Sequence, residues 1–252
     1  MAVIWQKRAK DKHYEVRQAG ESVRLYTDGV FHSQYNPNHR ISRGVWDLLF
    51  LPTMFSPPNS IKRVLVLGVG GGTVIHLLRR YIRPQHVTGI DLDPVHLYVA
   101  RRFFGITKGL ANLLRDNAIT WLGRYRGPKF DLIVDDLFFE HEGVGQRAVA
   151  LHDGWFRLLD NNLSDHGVLV INTFSPTDLR QSAYCRNAGI SDLFNSAYIL
   201  SLEKFDNAVG AFLREKATVS GLRRRLSQTP GLNAVSGLDR LQFKTRRLEG
   251  YH

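Results

Sequence analysis

One cysteine, Cys185, stands among 252 residues, which excludes an intramolecular disulfide and a zinc site built on cysteines. Runs of about 18 apolar residues are missing, and no charged-then-apolar leader follows Met1. Neither a membrane span nor a secretory signal is therefore expected, and the chain reads as cytoplasmic. The ten histidines form no H-x-x-x-H or mixed carboxylate spacing, so no metal site is expected. A G-x-S-x-G elbow and a lysine following a glycine-rich loop are both lacking, which sets aside serine hydrolysis and phosphoryl transfer. Acidic residues are few: 23 against 34 Lys and Arg leave a formal net charge of +11. Such a surface attracts polyanions and repels cationic substrates. The basic residues are spread out, from Lys62-Arg63 to Arg223-Arg224-Arg225, without interleaved aromatics. Nucleic acid stays open as a partner, but no motif calls for it.

What is present centres on residues 63–73. Val64 to Leu67 is a short apolar run rich in β-branched residues, the pattern of a parallel strand covered on both faces. From Thr73 the spacing turns helical, with Val74, Leu77, Leu78 and Tyr81 on one stripe. Between them Gly68, Gly70 and Gly72 allow positive φ and a close backbone approach to a ligand, and the amides opening the helix can face a polar or anionic group. A dinucleotide fingerprint has its third glycine where Thr73 stands. The G-x-G-x-G spacing instead favours a ligand with an amino-acid tail, such as S-adenosylmethionine, and argues against an NAD-dependent oxidoreductase.

Before this element, residues 1–12 read as frayed. Strand-like runs then follow from Tyr14, with a hairpin turn at Asp28-Gly29. Pro52 and Pro57-Pro58-Asn59 break the chain, dividing it into an N-terminal β-hairpin unit with a connecting helix (1–59) and a nucleosyl-binding domain with a basic tail (60–252). In that domain apolar runs at 64–67, 86–91, 110–114, 130–136 and 168–171 alternate with helical segments, which implies a parallel sheet with right-handed crossovers. An antiparallel pair around Asp206-Asn207 brings the count to seven strands, and the tail from Val219 reads as helical.

Acids fall at the carboxyl ends of these strands, where ligands of such sheets bind. Asp91, followed by Leu92, lies 19 residues past Gly72 (91 − 72), the spacing of an acid that accepts from ribose hydroxyls. Asp93 before Pro94 reads as a helix cap. Asp116 could accept from an adenine amine while the backbone around Asn117 meets the ring, or serve only as a loop acid that caps the helix at Ala118. Asp135 and Asp136 end the fourth strand. Neighbouring residues point to opposite faces, so at most one meets the substrate. On the next loop, Glu140 or His141 could act as a general base, although an exposed flexible loop is the simpler reading.

In order and spacing these motifs resemble the spermidine synthase family and its methyltransferase-like relatives over residues 14–212. The resemblance rests on Leu25-Tyr26-Thr27-Asp28-Gly29-Val30, Val64 to Thr73, Gly89 to Pro94, Asp116, Phe130 to Asp136 and Gly167 to Val170. It implies a Rossmann-like class I methyltransferase fold and S-adenosylmethionine or its decarboxylated form as co-substrate. It also implies a homodimer, and transfer of an aminopropyl or methyl group to an amine or hydroxyl acceptor. The glycine turn would hold the amino-acid portion of the nucleosyl ligand, Asp91 the ribose and Asp116 the adenine; Asp136, chosen by alignment, would help deprotonate the acceptor. Phe139 stands where these transferases have a second acid, and His32 where a glutamine is expected. A polyamine, which needs several carboxylates, is not the acceptor such residues favour. The alternative is a non-catalytic nucleosyl-binding or nucleic-acid-associated protein.

Overall fold

A computed structural model of the chain describes residues 1–141, 144–234 and 240–251. The N-terminal part is a four-stranded antiparallel meander: β1 (Ala2–Ala9), β2 (Lys12–Ala19), β3 (Ser22–Thr27) and β4 (Val30–Tyr35). Asp28 and Gly29 both take positive φ, 48° and 82°, the geometry of a tight hairpin turn whose twist matches its strands. Strand β1 was expected to fray. It pairs instead with β2 along its length, and Trp5 packs on Tyr98 and Phe103, each at 5.6 Å. That anchor lies some ninety residues away, beyond the reach of a local reading.

Helix α1 (Val45–Phe50) leads to β5 (Arg63–Leu67), α2 (Thr73–Tyr81), β6 (His86–Asp91), α3 (Pro94–Arg102), β7 (Asn112–Arg115), α4 (Ala118–Arg124) and β8 (Phe130–Asp135). A short hairpin, β9 (Phe138–His141) and β10 (Val144–Arg147), follows. Helix α5 begins only at Asp153 and ends at Asn162. Then come β11 (Leu163–Thr173), α6 (Pro176–Arg180), α7 (Ala188–Ser191), β12 (Ser196–Ser201), β13 (Ala208–Leu213), α8 (Val219–Gln228) and β14 (Lys244–Arg247).

The central sheet has the order β14-β12-β13-β11-β8-β5-β6-β7. It is parallel from β11 to β7, with β13 and β14 antiparallel to their neighbours. It has eight strands where the sequence suggests seven. The additional one, β14, is formed by Lys244-Thr245-Arg246-Arg247, whose composition does not read as a strand; it joins through backbone pairing to β12.

Both faces of the sheet are covered, as the uninterrupted apolar strands require. Val64 and Val66 of β5 belong to one core cluster with Phe50, Ile75 and Leu78. Leu65 and Leu67 point the other way, into a cluster with Trp121, Phe156 and Leu159. Tyr14, Val16 and Leu25 of the N-terminal sheet share the first cluster. That meander is therefore packed against the main sheet, above the carboxyl ends of its strands.

Candidate active site

Strands β5, β6, β7 and β8 end together, and between their ends and the N-terminal sheet lies a cleft of about 830 Å³. This volume suits a nucleoside with a second small molecule beside it.

The glycine turn forms the floor. Gly68 has φ +82°, and a Cβ there would stand 2.2 Å from the carbonyl oxygen of Asp136. The ends of β5 and β8 approach so closely, with Asp136 N donating to Leu67 O at 2.8 Å, that only glycine fits. At Gly70 and Gly72, with φ +53° and +86°, a Cβ would press on Ser33 Oγ and Ile106, each at 2.8 Å.

The amides of this turn are already engaged. Gly68 N donates to Ile90 O (2.9 Å) and Gly72 N to Val69 O (2.8 Å). Val69 N and Gly70 N donate to Asp91 Oδ2 (2.9 and 3.0 Å), and Gly71 N donates to Ser33 Oγ (2.7 Å). The turn therefore offers an anion none of these five donors, and differs in this from a phosphate cradle.

Asp91 is the organiser of that turn. Besides the two amides on Oδ2, its Oδ1 accepts from Asp93 N at 2.8 Å. A carboxylate oxygen can accept twice, so Oδ1 keeps capacity for one ribose hydroxyl, fewer than the two donors read from sequence. His96 Nδ1 stands 3.8 Å from Asp91 Oδ2, and its Nε2 bonds Thr27 Oγ1 at 2.9 Å. Burial works against the charge on both groups, but their mutual attraction prevails: the carboxyl of Asp91 is held below its usual range and the imidazole of His96 above its own. Next to this imidazole, His32 is driven neutral. Burial first, then the charge of His96, lower its pKa to about 3, and its Nε2 has no hydrogen-bond partner among the described residues.

Asp93 caps α3, accepting from Val95 N at 2.8 Å through Oδ1, while Oδ2 accepts from the Tyr14 hydroxyl at 2.7 Å. Burial and this bond push the Tyr14 phenol upward, so it remains a donor. The cleft wall is thereby tied to the N-terminal sheet.

At the far end of β6 and β7, Leu92 and Ile119 are 64% and 45% exposed and line the cleft, offering flat apolar contact. Asp116, beside them, is ion-paired with Arg124 and accepts from Asn117 N at 2.9 Å. Asn117, not Asp116, caps α4 through Ile119 N and Thr120 N.

Asp135 and Asp136 diverge as their neighbouring positions require. Asp135 is fully buried and accepts from Arg147 Nη2 at 2.7 Å and Trp155 Nε1 at 2.8 Å. Asp136 faces the cleft, where its Oδ1 accepts from Asn172 Nδ2 at 2.8 Å. Burial pushes its pKa up to about 6, reinforced by the charges of Asp135 and Asp91 and opposed by the Asn172 bond and Arg147. Around it stand Phe138, Phe139, Phe174 and Asn207.

Glu140 and His141 belong to the β9–β10 hairpin by backbone, but their side chains lie outside the described residues. The sequence reading did not single out Ser33, His96, Asn172, Phe174 or Ile119. Only the exposure of large apolar side chains, invisible before folding, marks the last two.

Comparison with known proteins agrees with this fold. The model of the spermine/spermidine synthase domain matches residues 47–199. A polyamine aminopropyltransferase 2 of Ralstonia nicotianae is 26% identical over 180 residues, 68% of this chain and 34% of the relative. The chain thus spans about a third of that relative's length. Among solved structures, a probable spermidine synthase from Corynebacterium glutamicum superimposes with a TM-score of 0.71 at 15% identity, covering 91% of this chain and 89% of the other. Human methyltransferase-like protein 13 in complex with SAH gives 0.58 at 16% identity, covering 77% and 94%. At these identities the structural likeness speaks for the fold.

Proposed function

Because the chain belongs to the spermine/spermidine synthase family, we propose that its cleft holds S-adenosylmethionine or the decarboxylated form and that the protein transfers an alkyl group from it to an amine. The observation that carries this reading is Asp136: a carboxylate at the end of β8, facing the cleft, with its pKa raised to about 6. Such a group is ionised at neutral pH yet basic enough to take a proton from an ammonium becoming a nucleophile.

The nucleoside brings a sulfonium leaving group, so the protein's task is placement and proton transfer. Asp91, through the free capacity of Oδ1, binds a ribose hydroxyl. Leu92 and Ile119 cover the faces of the adenine, and Asp116 with the backbone at Asn117 meets its edge. The engaged amides of Gly68 to Gly72 exclude a phosphate, and the negative charges of Asp91 and Asp136 favour a cationic ligand. Asn172 fixes the Asp136 carboxylate and leaves its Oδ2 toward the acceptor nitrogen.

The test is titration calorimetry with S-adenosylmethionine, decarboxylated S-adenosylmethionine, methylthioadenosine and NAD. Binding of at least one sulfur nucleoside, with NAD far weaker, is the expected result. Failure of all three sulfur nucleosides at millimolar concentration would remove the reading.

A further inference from the structure

Arg147, at the end of β10, does not line the cleft, yet it joins the two strand ends that carry the proposed proton acceptor. Its side chain is only 10% exposed, and each of its three nitrogens donates to the fold. Nη2 donates to Asp135 Oδ2 at 2.7 Å, Nε to the carbonyl of Val149 at 3.2 Å, and Nη1 to the carbonyl of Asn172. The guanidinium also stands 5.7 Å from the ring centroid of Phe138, its partner across the β9–β10 ladder.

These contacts bracket Asp136. Before it in the chain, the buried Asp135 also accepts from Trp155 Nε1 at 2.8 Å and from Leu137 N at 3.2 Å. After it, the carbonyl of Leu137 accepts from the amide of Ala148 at 2.9 Å, one residue past Arg147. Beside it stands Asn172, whose carbonyl Arg147 holds and whose side-chain amide donates to Asp136 Oδ1 at 2.8 Å. One guanidinium therefore fixes the ends of both β8 and β11, and the Asp136 carboxylate is set between them.

The same side chain places a charge. Asp135 on β8 and Asp91 on β6 oppose the ionisation of Asp136, Arg147 on β10 favours it, and β11 contributes the neutral donor Asn172. A buried carboxylate such as Asp135 is costly unless paired. Its pairing with Arg147 allows two adjacent acids to be charged together.

We propose that Arg147 is a positioning residue for the reaction: by tying Asp135 to the Asn172 carbonyl it holds Asp136 toward the cleft, and by its charge it keeps that carboxylate able to accept a proton. This rests on the reading of Asp136 as the proton acceptor. The planar fork matters as much as the charge, because a lysine would bring one nitrogen in place of three.

Two variants of the full chain separate the roles: Arg147→Gln removes charge and fork together, and Arg147→Lys keeps the charge alone. Carbon-13 NMR of the aspartate carboxyls reads the titration of Asp136, its signal identified by loss in Asp136→Asn. In Arg147→Gln the titration should move upward by roughly one pH unit or more, since the two acids then hold their last proton without a cation beside them. In Arg147→Lys it should stay near that of the wild type. With decarboxylated S-adenosylmethionine and putrescine as probes, kcat on the plateau above the acidic limb should fall about tenfold or more in both variants, with methylthioadenosine affinity little changed. An unmoved titration in Arg147→Gln, or wild-type kcat in Arg147→Lys, overturns the inference; if the glutamine variant does not fold, the lysine variant decides alone. Methylthioadenosine failing to bind the wild type counts against the proposed function, whereas the carboxyl titration needs no ligand and still decides the role of Arg147.

Discussion

Asn172 Nδ2 donates to Asp136 Oδ1 at 2.8 Å, a bond between the ends of β11 and β8 that leaves the second carboxylate oxygen to the cleft. Since burial has pushed Asp136 up to about 6, the proton acceptor should be lost on mild acidification. Turnover should rise with pH through about 6 and level off above 7. A flat profile from pH 5 to 8, measured as kcat/KM, would remove Asp136 from proton transfer.

Loss of the Asn172 amide should move that limb. A hydrogen bond to a charged group contributes about 1.5–3 kcal/mol, so Asn172→Ala should shift the acidic limb upward by roughly one pH unit. A lower plateau with an unmoved limb would mean that Asn172 acts only on shape.

Burying the carboxylate should cost stability. The folded pKa of Asp136 lies above the usual 3.8, so its contribution is present below about pH 4 and lost as pH rises through 6. Asp136→Asn keeps the uncharged shape. At pH 7.5 it should be more stable than the wild type by about 1–3 kcal/mol, with the difference closing toward pH 4. Urea melts at the two pH values decide this, and a variant less stable at pH 7.5 contradicts it.

Asp91 should be structural and ligand-binding at once. Asp91→Ala strands the amides of Val69, Gly70 and Asp93, at a cost of roughly 3 kcal/mol or more. Stability and methylthioadenosine affinity should fall together. A variant that lost affinity and kept its melting point would show that the turn stands without this carboxylate.

Gly68→Ala places a methyl 2.2 Å from Asp136 O at a φ of +82°. Both effects act against folding, so the variant should yield little soluble protein or lose more than about 3 kcal/mol. A folded and active Gly68→Ala chain would mean that the ends of β5 and β8 can separate.

Those features of the site that depend on neighbouring residues were legible in the sequence. Val64 to Leu67 running into glycines, the Asp93 cap and the opposed directions of Asp135 and Asp136 follow from periods and turn chemistry over a few positions. The features carried by distant residues were not. Tyr14 reaches Asp93 across 79 positions, Ser33 reaches Gly71 across 38 and Asn172 reaches Asp136 across 36. Each is an ordinary residue until tertiary packing brings it there. The same holds for β1, held by Trp5 on α3, and for β14, whose residues carry no strand signal of their own.

Strand β14 lies at the outer border of the eight-stranded sheet, and Lys244, Arg246 and Arg247 on it are exposed. An edge strand offers unpaired backbone groups to any extended chain that comes near, and repeated positive charge makes such an addition unfavourable. Part of the excess basicity of this protein thus lies where it opposes the addition of one more strand to the sheet.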